Sequence, residues 1–364
     1  MSAAPRGGFP LNAKTFHELV SGRRRGIIAT AARAALWAAS GPYGLAVTVR
    51  NAWYSRRGST VHRVAAPVIC VGNLTVGGTG KTPMVKLLAR HLRDRGLRVA
   101  LLSRGYGAEQ RGVNDEALEL EQSLPDVPHL QGRDRVELAK IALYEFESQV
   151  LLLDDGFQHR RLARDLDIVL LDATNPFGHG HLLPRGLLRE PLSGLRRAGV
   201  VCLTRADSIE PSQREAIRRR VHRHAPNAVW CEASHRPSAL INSDGEKAPL
   251  EDLLGRRVVA FCGIGNPAAF RATLEQAGAD VAGFCEFPDH HGYSASDIQT
   301  IASSAAAHHA EMVVCTHKDL VKVATNTIQQ HALWAVEVQM SLLAGGEELL
   351  AAVDAASNAG PPRT

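Results

Sequence analysis

Apolar residues along the chain gather in short continuous runs, separated by polar, glycine-bearing segments. Val68–Val71, Leu97–Ser103, Val150–Asp154, Asp167–Asp172 and Gly199–Thr204 have the length and Val/Ile/Leu content of strands buried on both faces. Pro83–Arg95 and Arg135–Glu147 instead carry apolar residues at helical spacing. The interval 104–133, rich in Gly, Asp, Glu and Pro, predicts loops around a short strand, and 174–197 predicts a long connection. A second series starts near Arg257, with strands at Val258–Cys262, Val281–Phe284, Met312–Thr316 and Trp334–Val338. Its helices are expected at Ala268–Ala277, Ala295–His308 and Leu342–Ala356. Alternating strands and helices of this kind predict an α/β protein with a mainly parallel sheet covered on both faces.

The first strand leads into the most specific local signal. Val68–Thr82 reads V-I-C-V-G-N-L-T-V-G-G-T-G-K-T: a β-branched strand, a glycine-rich turn, then Gly80-Lys81-Thr82 opening a helix. A phosphate-binding loop needs that order, because loop amides and the helix N-terminus together cradle phosphate oxygens. Thr75, Val76, Gly77, Gly78, Thr79, Gly80, Lys81 and Thr82 are its candidate nucleotide-binding residues, with Lys81 reaching the β/γ-phosphates and the Thr82 hydroxyl offered to Mg²⁺. Thr75 stands where the usual pattern has its first Gly. The fold expected is a P-loop NTPase-like parallel-sheet domain over 61–225 and a second, smaller α/β/α domain over 226–364, preceded by a membrane-associating segment, 1–60.

Charge is distributed unevenly. Residues 1–66 hold nine Arg and one Lys against Glu18 alone, about +9, whereas the rest of the chain sums to about −4. Basic charge is thus concentrated at one end rather than spread as a nucleic-acid-binding face. Between Arg23-Arg24-Arg25 and Arg56-Arg57 lies an apolar stretch, 27–49, interrupted by Arg33 and by Gly41-Pro42, which should break or kink a helix. Its uncharged part, Ala34–Val49, would span roughly 24 Å as a helix, short of a ~30 Å hydrocarbon core. It is therefore expected to lie on an anionic inner leaflet, with Trp37, Tyr43, Trp53 and Tyr54 near the interface; a kinked membrane span and an N-terminal helix packed on the soluble domain are the alternatives. The six cysteines form no C-x-x-C pair and suggest neither a zinc site nor a disulfide framework.

Other chemistry-bearing residues cluster near strand ends. L-L-L-D-D-G-F-Q-H places Asp154 and Asp155 at the carboxyl edge of the sheet, where one could hold Mg²⁺ and the other orient a ligand. Asp115-Glu116 could supply a carboxylate base or be a surface acid pair. His290, in Asp289-His290-His291, could orient such a base or face solvent. Arg189 could neutralise phosphate, with Glu190 as a metal-proximal acid, or the two could form a solvated pair.

An ordered set of motifs, V-G-N-L-T-V-G-G-T-G-K-T-P, S-R-G-Y-G (103–107), N-D-E (114–116), D-D-G-F-Q-H (154–159), L-L-P-R-G-L-L-R-E-P-L (182–192), G-I-G-N-P (263–267), F-P-D-H-H-G-Y (287–293) and T-H-K-D (316–319), resembles the tetraacyldisaccharide 4′-kinases of Gram-negative bacteria over nearly the whole chain. The resemblance implies transfer of the ATP γ-phosphate to the 4′-hydroxyl of an acylated glucosamine disaccharide 1-phosphate. It also implies Mg²⁺, a cleft between two α/β/α domains, and attachment to the cytoplasmic face of the inner membrane; the chain is expected to be a monomer. By the same resemblance Asp115 is the base and His290 its partner, with Asp154, Asp155 and Glu190 at the magnesium–nucleotide site. The chain departs from the family's common patterns at Asn114, Ala117 and His317. Two alternatives are a GTP-dependent metal chaperone, which should carry a thiol or histidine cluster, and a non-catalytic membrane-associated nucleotide-binding scaffold, which would tolerate loss of Asp115 or His290.

Overall fold

The computed structural model describes residues 13–56, 61–105, 115–289 and 291–358. Its strands join in one continuous sheet. They are β1 (Val68–Asn73), β2 (Val99–Ser103), β3 (His129–Gln131), β4 (Val150–Asp154), β5 (Leu166–Asp172), β6 (Val200–Thr204), β7 (Val229–Ile241), β8 (Lys247–Ala248), β9 (Arg257–Cys262), β10 (Asp280–Glu286), β11 (Met312–Thr316), β12 (Thr327–Ile328) and β13 (His331–Ala344). The spatial order is β10-β9-β11-β13-β7-β6-β5-β1-β4-β2-β3. Alternation sorts β1: Ile69 and Val71 pack with Met84, Val85 and Leu88 on one face, while Val68 and Cys70 pack with Ala139 and Ala142 on the other.

β7 and β13 organise the whole. All sheet neighbours from β3 to β7 pair in parallel, β13 runs antiparallel to β7, and β11, β9 and β10 run parallel to β13. Leu203, near the end of β6, is level with Glu232 of β7. Further along β7, Leu240 is level with Val336, which in turn is level with Thr316 at the end of β11. The carboxyl ends of the two halves therefore point toward one another, separated along β7 by roughly 26 Å at strand rise.

Differences from the expected elements have local causes. The helix Asp115–Ser123 occupies part of the interval expected as loops. It buries Ala117 and Leu120, and also Glu119, whose charge hid that face from an apolar-periodicity reading. The arginine-rich helix Pro211–His222 buries Val221 alone, so little amphipathic signal marks it. Residues 342–344 continue β13, and the last helix begins at Gly346. At the other end, α1 (Ala13–Val20) precedes α2 (Ile27–Arg56), which continues through Pro42 instead of breaking there. No helix among the described residues is long and apolar enough to cross a membrane.

A buried carboxylate ties the central pair to its surroundings. Glu337 of β13, 1% exposed, accepts from Arg90 at 3.3 Å and Lys247 at 2.6 Å. Burial alone would raise its pKa, but the hydrogen bond and charge of Lys247, with Arg90, hold it below the usual range. Its stabilising contribution is therefore present at neutral pH and lost as pH falls through that lowered value. Glu337→Ala should lower stability at pH 7 by about 2 kcal/mol, with a smaller difference near pH 3, as measured by denaturant unfolding at the two pH values.

Candidate active site

The phosphate loop is held from behind. β1 delivers the chain at Asn73, whose Nδ2 donates to Thr79 Oγ1 at 3.1 Å and to the Gly77 carbonyl at 3.4 Å. Thr204 Oγ1, at the end of β6, donates to the Thr79 carbonyl at 2.9 Å, and Arg205 Nη1 to the Gly78 carbonyl at 3.1 Å while pairing with Asp172. With these carbonyls drawn back, the first turn of α3 (Lys81–Asp94) presents amides that have no intrahelical acceptor. Gly77 and Gly80 take left-handed backbone, φ 124° and 87°, which an L side chain rarely adopts. At Gly80 a Cβ would also collide with the His235 imidazole.

Segment 182–190 closes the loop's other flank. Val76 N–H donates to the Leu187 carbonyl at 2.8 Å, and Arg189 N–H to the Leu74 carbonyl at 2.7 Å. Val76 thus spends its amide on the protein rather than on a phosphate, and Thr75 bridges Leu188, so these two are the frame of the loop. The same segment carries α2: Ser40 Oγ donates to the Leu182 carbonyl at 3.1 Å and Tyr43 Oη to the Arg189 carbonyl at 2.8 Å.

Three charges meet at the mouth of the loop. Asp155, just past β4, accepts from Arg189 Nη1 at 2.9 and 3.0 Å and lies 3.6 Å from Lys81 Nζ. Burial would raise the Asp155 pKa, but Lys81 and then Arg189 outweigh it and hold the carboxyl below its usual range. One carboxylate beside two cations leaves a positive excess at a helix N-terminus, suited to a polyphosphate. Asp154, 6% exposed, ends β4 level with Val71 of β1. The Thr82 hydroxyl and the Asp154 and Asp155 carboxylates are hard oxygen donors at this edge, the donor set that Mg²⁺ takes together with substrate phosphates.

At the opposed carboxyl edge, G-I-G-N-P follows β9, F-P-D-H-H-G-Y follows β10 and T-H-K-D begins at the end of β11. Asp319 joins two of these: it is fully buried and accepts from Gly263 N–H at 3.1 Å and Thr316 Oγ1 at 2.5 Å. The helix Asp115–Ser123 spans the halves. Lys86 of α3 pairs with its Glu119 at 2.7 Å, and its Gln122 Oε1 lies 2.9 Å from His317 Nε2. Burial pushes His317 down to about 4, so at neutral pH the imidazole is uncharged and can donate to Gln122.

Residues 32–357 match the family model described as LpxK, tetraacyldisaccharide-1-P 4′-kinase. The chain belongs to this family. The tetraacyldisaccharide 4′-kinase of Anaeromyxobacter sp. (strain K) is 44% identical over 359 residues, 93% of this chain and 94% of that one. That of Syntrophus aciditrophicus is 45% identical over 307 residues, covering 78% and 82% of the two chains. A crystal structure of Aquifex aeolicus LpxK, described as in complex with ATP, superposes with a TM-score of 0.72 at 31% identity, covering 89% of this chain and 99% of that one.

Within this kinase fold, Lys81, Thr82, Asp154, Asp155 and Arg189 converge on one edge. Glu190 does not join them. It is fully buried, and its oxygens accept from Arg197 at 2.9 and 3.0 Å, Gln158 at 3.0 Å and Asn51 at 3.0 Å. That carboxylate is an internal clasp between α2 and the loop region, reached through Gln158, which also donates to the Asn73 carbonyl at 2.9 Å. Asp115 opens its helix, but its side chain and the whole of His290 lie outside the described residues. Reading the sequence overlooked Asn73, Thr204 and Arg205, although a buried strand ending in Thr-Arg beside a phosphate loop is a usable signal.

Asp155→Asn should leave the fold intact while lowering turnover at least about 100-fold, because Lys81 and Arg189 lose the anion that positions them. Paired thermal melts and steady-state rates check this. Near-normal turnover in the folded variant would remove Asp155 from the catalytic group.

Proposed function

We propose that this chain transfers the γ-phosphate of ATP to the 4′-hydroxyl of a tetraacylated glucosamine disaccharide 1-phosphate, making lipid IVA at the cytoplasmic face of the inner membrane. The observation that carries this reading is that segment 182–190 is bonded to both the phosphate loop and α2. Trp37, Leu45, Val49 and Trp53 lie four or eight residues apart on α2, and all are exposed, Leu45 by 67%. Such a ridge suits an interfacial helix, peripheral or monotopic, flanked by Arg23, Arg24, Arg25 and Arg56. Acyl chains can then stay beside α2 while the sugar head enters the cleft next to Lys81.

The chemistry follows from positions. Loop amides and Lys81 hold the β/γ-phosphates, and Arg189 turns from Asp155 toward the incoming charge. Thr82, Asp154 and Asp155 are the residues that would hold Mg²⁺, which when bound supplies charge neutralisation at the phosphate oxygens. Asp115, oriented by His290, takes the proton of the attacking hydroxyl. The opposed carboxyl edges support a division into units 1–60, 61–225 and 226–364, with closure of the last two excluding water. Every group named here comes from one chain, so a monomer suffices as the working unit.

Kinetics in detergent micelles test the assignment. Lys81→Ala and Asp115→Asn should each lower kcat at least about 100-fold with both substrates saturating. If Asp115 and His290 act as one unit, Asp115→Asn with His290→Ala should lose less than the product of the single losses. Fully multiplicative losses would mean independent action, and a near-normal kcat in folded Asp115→Asn would reject it as the base. Separately, Trp37→Ser with Leu45→Ser should weaken binding to lipid vesicles in co-sedimentation while leaving nucleotide affinity within about twofold.

A further inference from the structure

Outside the cleft, α1 and the turn into α2 fold against residues 178–185 and bring basic groups together. The His17 and His179 rings meet edge to face with centroids 5.5 Å apart. Arg185 Nη1 donates to the Val20 carbonyl at 2.9 Å, and Arg33 Nη1 to the Arg24 carbonyl at 2.8 Å. Gly178, His179 and Gly180 are all left-handed, with φ of 54°, 60° and 75°. The Asn175 side chain accepts from His179 N–H at 2.9 Å and lies 3.1 Å from its Nε2, fixing the ring.

Among the described residues, none of His17, Arg23, Arg33, His179, His181 and Arg185 pairs with a carboxylate. The nearby acid Glu18 makes no ion pair with them either. Burial lowers the His179 pKa first, and His17, Arg185, Arg23 and His181 lower it further; burial and Arg33 do the same to Arg185. Like charges held together without a counter-charge are a standing cost that a bound anion relieves. The cluster adjoins Ile27 and Ile28, 90% and 79% exposed at the start of α2. If those side chains enter the hydrocarbon boundary, the basic groups sit at headgroup depth.

We propose that this cluster is a phosphate-ester binding site, separate from the nucleotide loop, that seats the protein on a lipid headgroup. It rests on the reading of α2 as the membrane-facing element. The arginines supply charge and the imidazoles supply N–H donors, which suits a phosphodiester or phosphomonoester oxygen. Lipid phosphate and free phosphate share that chemistry, and the test separates them.

The full-length protein is assayed two ways. Histidine resonances are followed by NMR during titration with inorganic phosphate, and co-sedimentation is measured with phosphatidylcholine vesicles with and without phosphatidylglycerol. Phosphate should move the His179 and His181 signals. Arg23→Gln with Arg185→Gln should weaken binding to the phosphatidylglycerol vesicles roughly 30-fold and change binding to pure phosphatidylcholine little. Arg185→Lys should restore much of the loss. Because Arg185 also braces α1, the exposed Arg23→Gln alone serves as a second variant and should cost about fivefold. Histidine signals indifferent to phosphate, with unaltered vesicle binding in the variants, would overturn the site. Vesicles that fail to bind wild-type protein while phosphate still moves the histidines would reject the membrane reading and the lipid source, leaving a free-phosphate site.

Discussion

The antiparallel pairing of β7 with β13 is the constraint on which the rest of the molecule depends. In a sheet running one way throughout, every carboxyl edge would face the same side, and ligands would bind along one rim. Reversal at this pair turns the edge bearing G-I-G-N-P and T-H-K-D toward the edge bearing the phosphate loop. Pro237, which cannot donate to a ladder, is accommodated opposite Val338, where the register shifts after Glu337. Glu337 and its two cations then fasten the same stretch to α3 and to the strand at Lys247.

A second theme is the use of carboxylates for quite different ends. Asp155 gathers Lys81 and Arg189 at an accessible mouth, Glu190 is spent inside on Arg197, and Asp319 holds Gly263 and Thr316 in place. Burial and partners separate these roles more than residue type does. An aspartate beside two partly exposed cations can exchange them with an incoming polyanion, whereas a fully enclosed glutamate cannot leave its arginine without a large desolvation cost.

Much of this was legible in the sequence where one local rule suffices. The buried strands at Val150–Asp154 and Met312–Thr316 announce themselves because both faces are covered, and the phosphate loop because its glycines and Gly-Lys-Thr have one physical purpose. What escaped depends on partners distant in the chain. β7 mixes Glu232, His235, Arg236 and Pro237 with its apolar residues, and its length beyond Glu232 rests on pairing with β13. Helix continuity through Pro42 owes much to the bonds from Ser40, Tyr43 and Asn51 to residues 182–190. Glu190 follows Arg189 directly, yet its carboxylate is fully buried on Arg197 while Arg189 reaches Asp155, a separation that adjacency in the sequence does not reveal.

Position of the transferred phosphate tests the central claim most directly. Purified protein would be incubated with Mg²⁺, γ-labelled ATP and tetraacyldisaccharide 1-phosphate in detergent micelles, and the product analysed by phosphorus NMR. The account predicts one new phosphomonoester, on the 4′ oxygen, carrying the label, with none formed by Lys81→Ala. Label on another hydroxyl, or ATP hydrolysis with no labelled lipid, would contradict it.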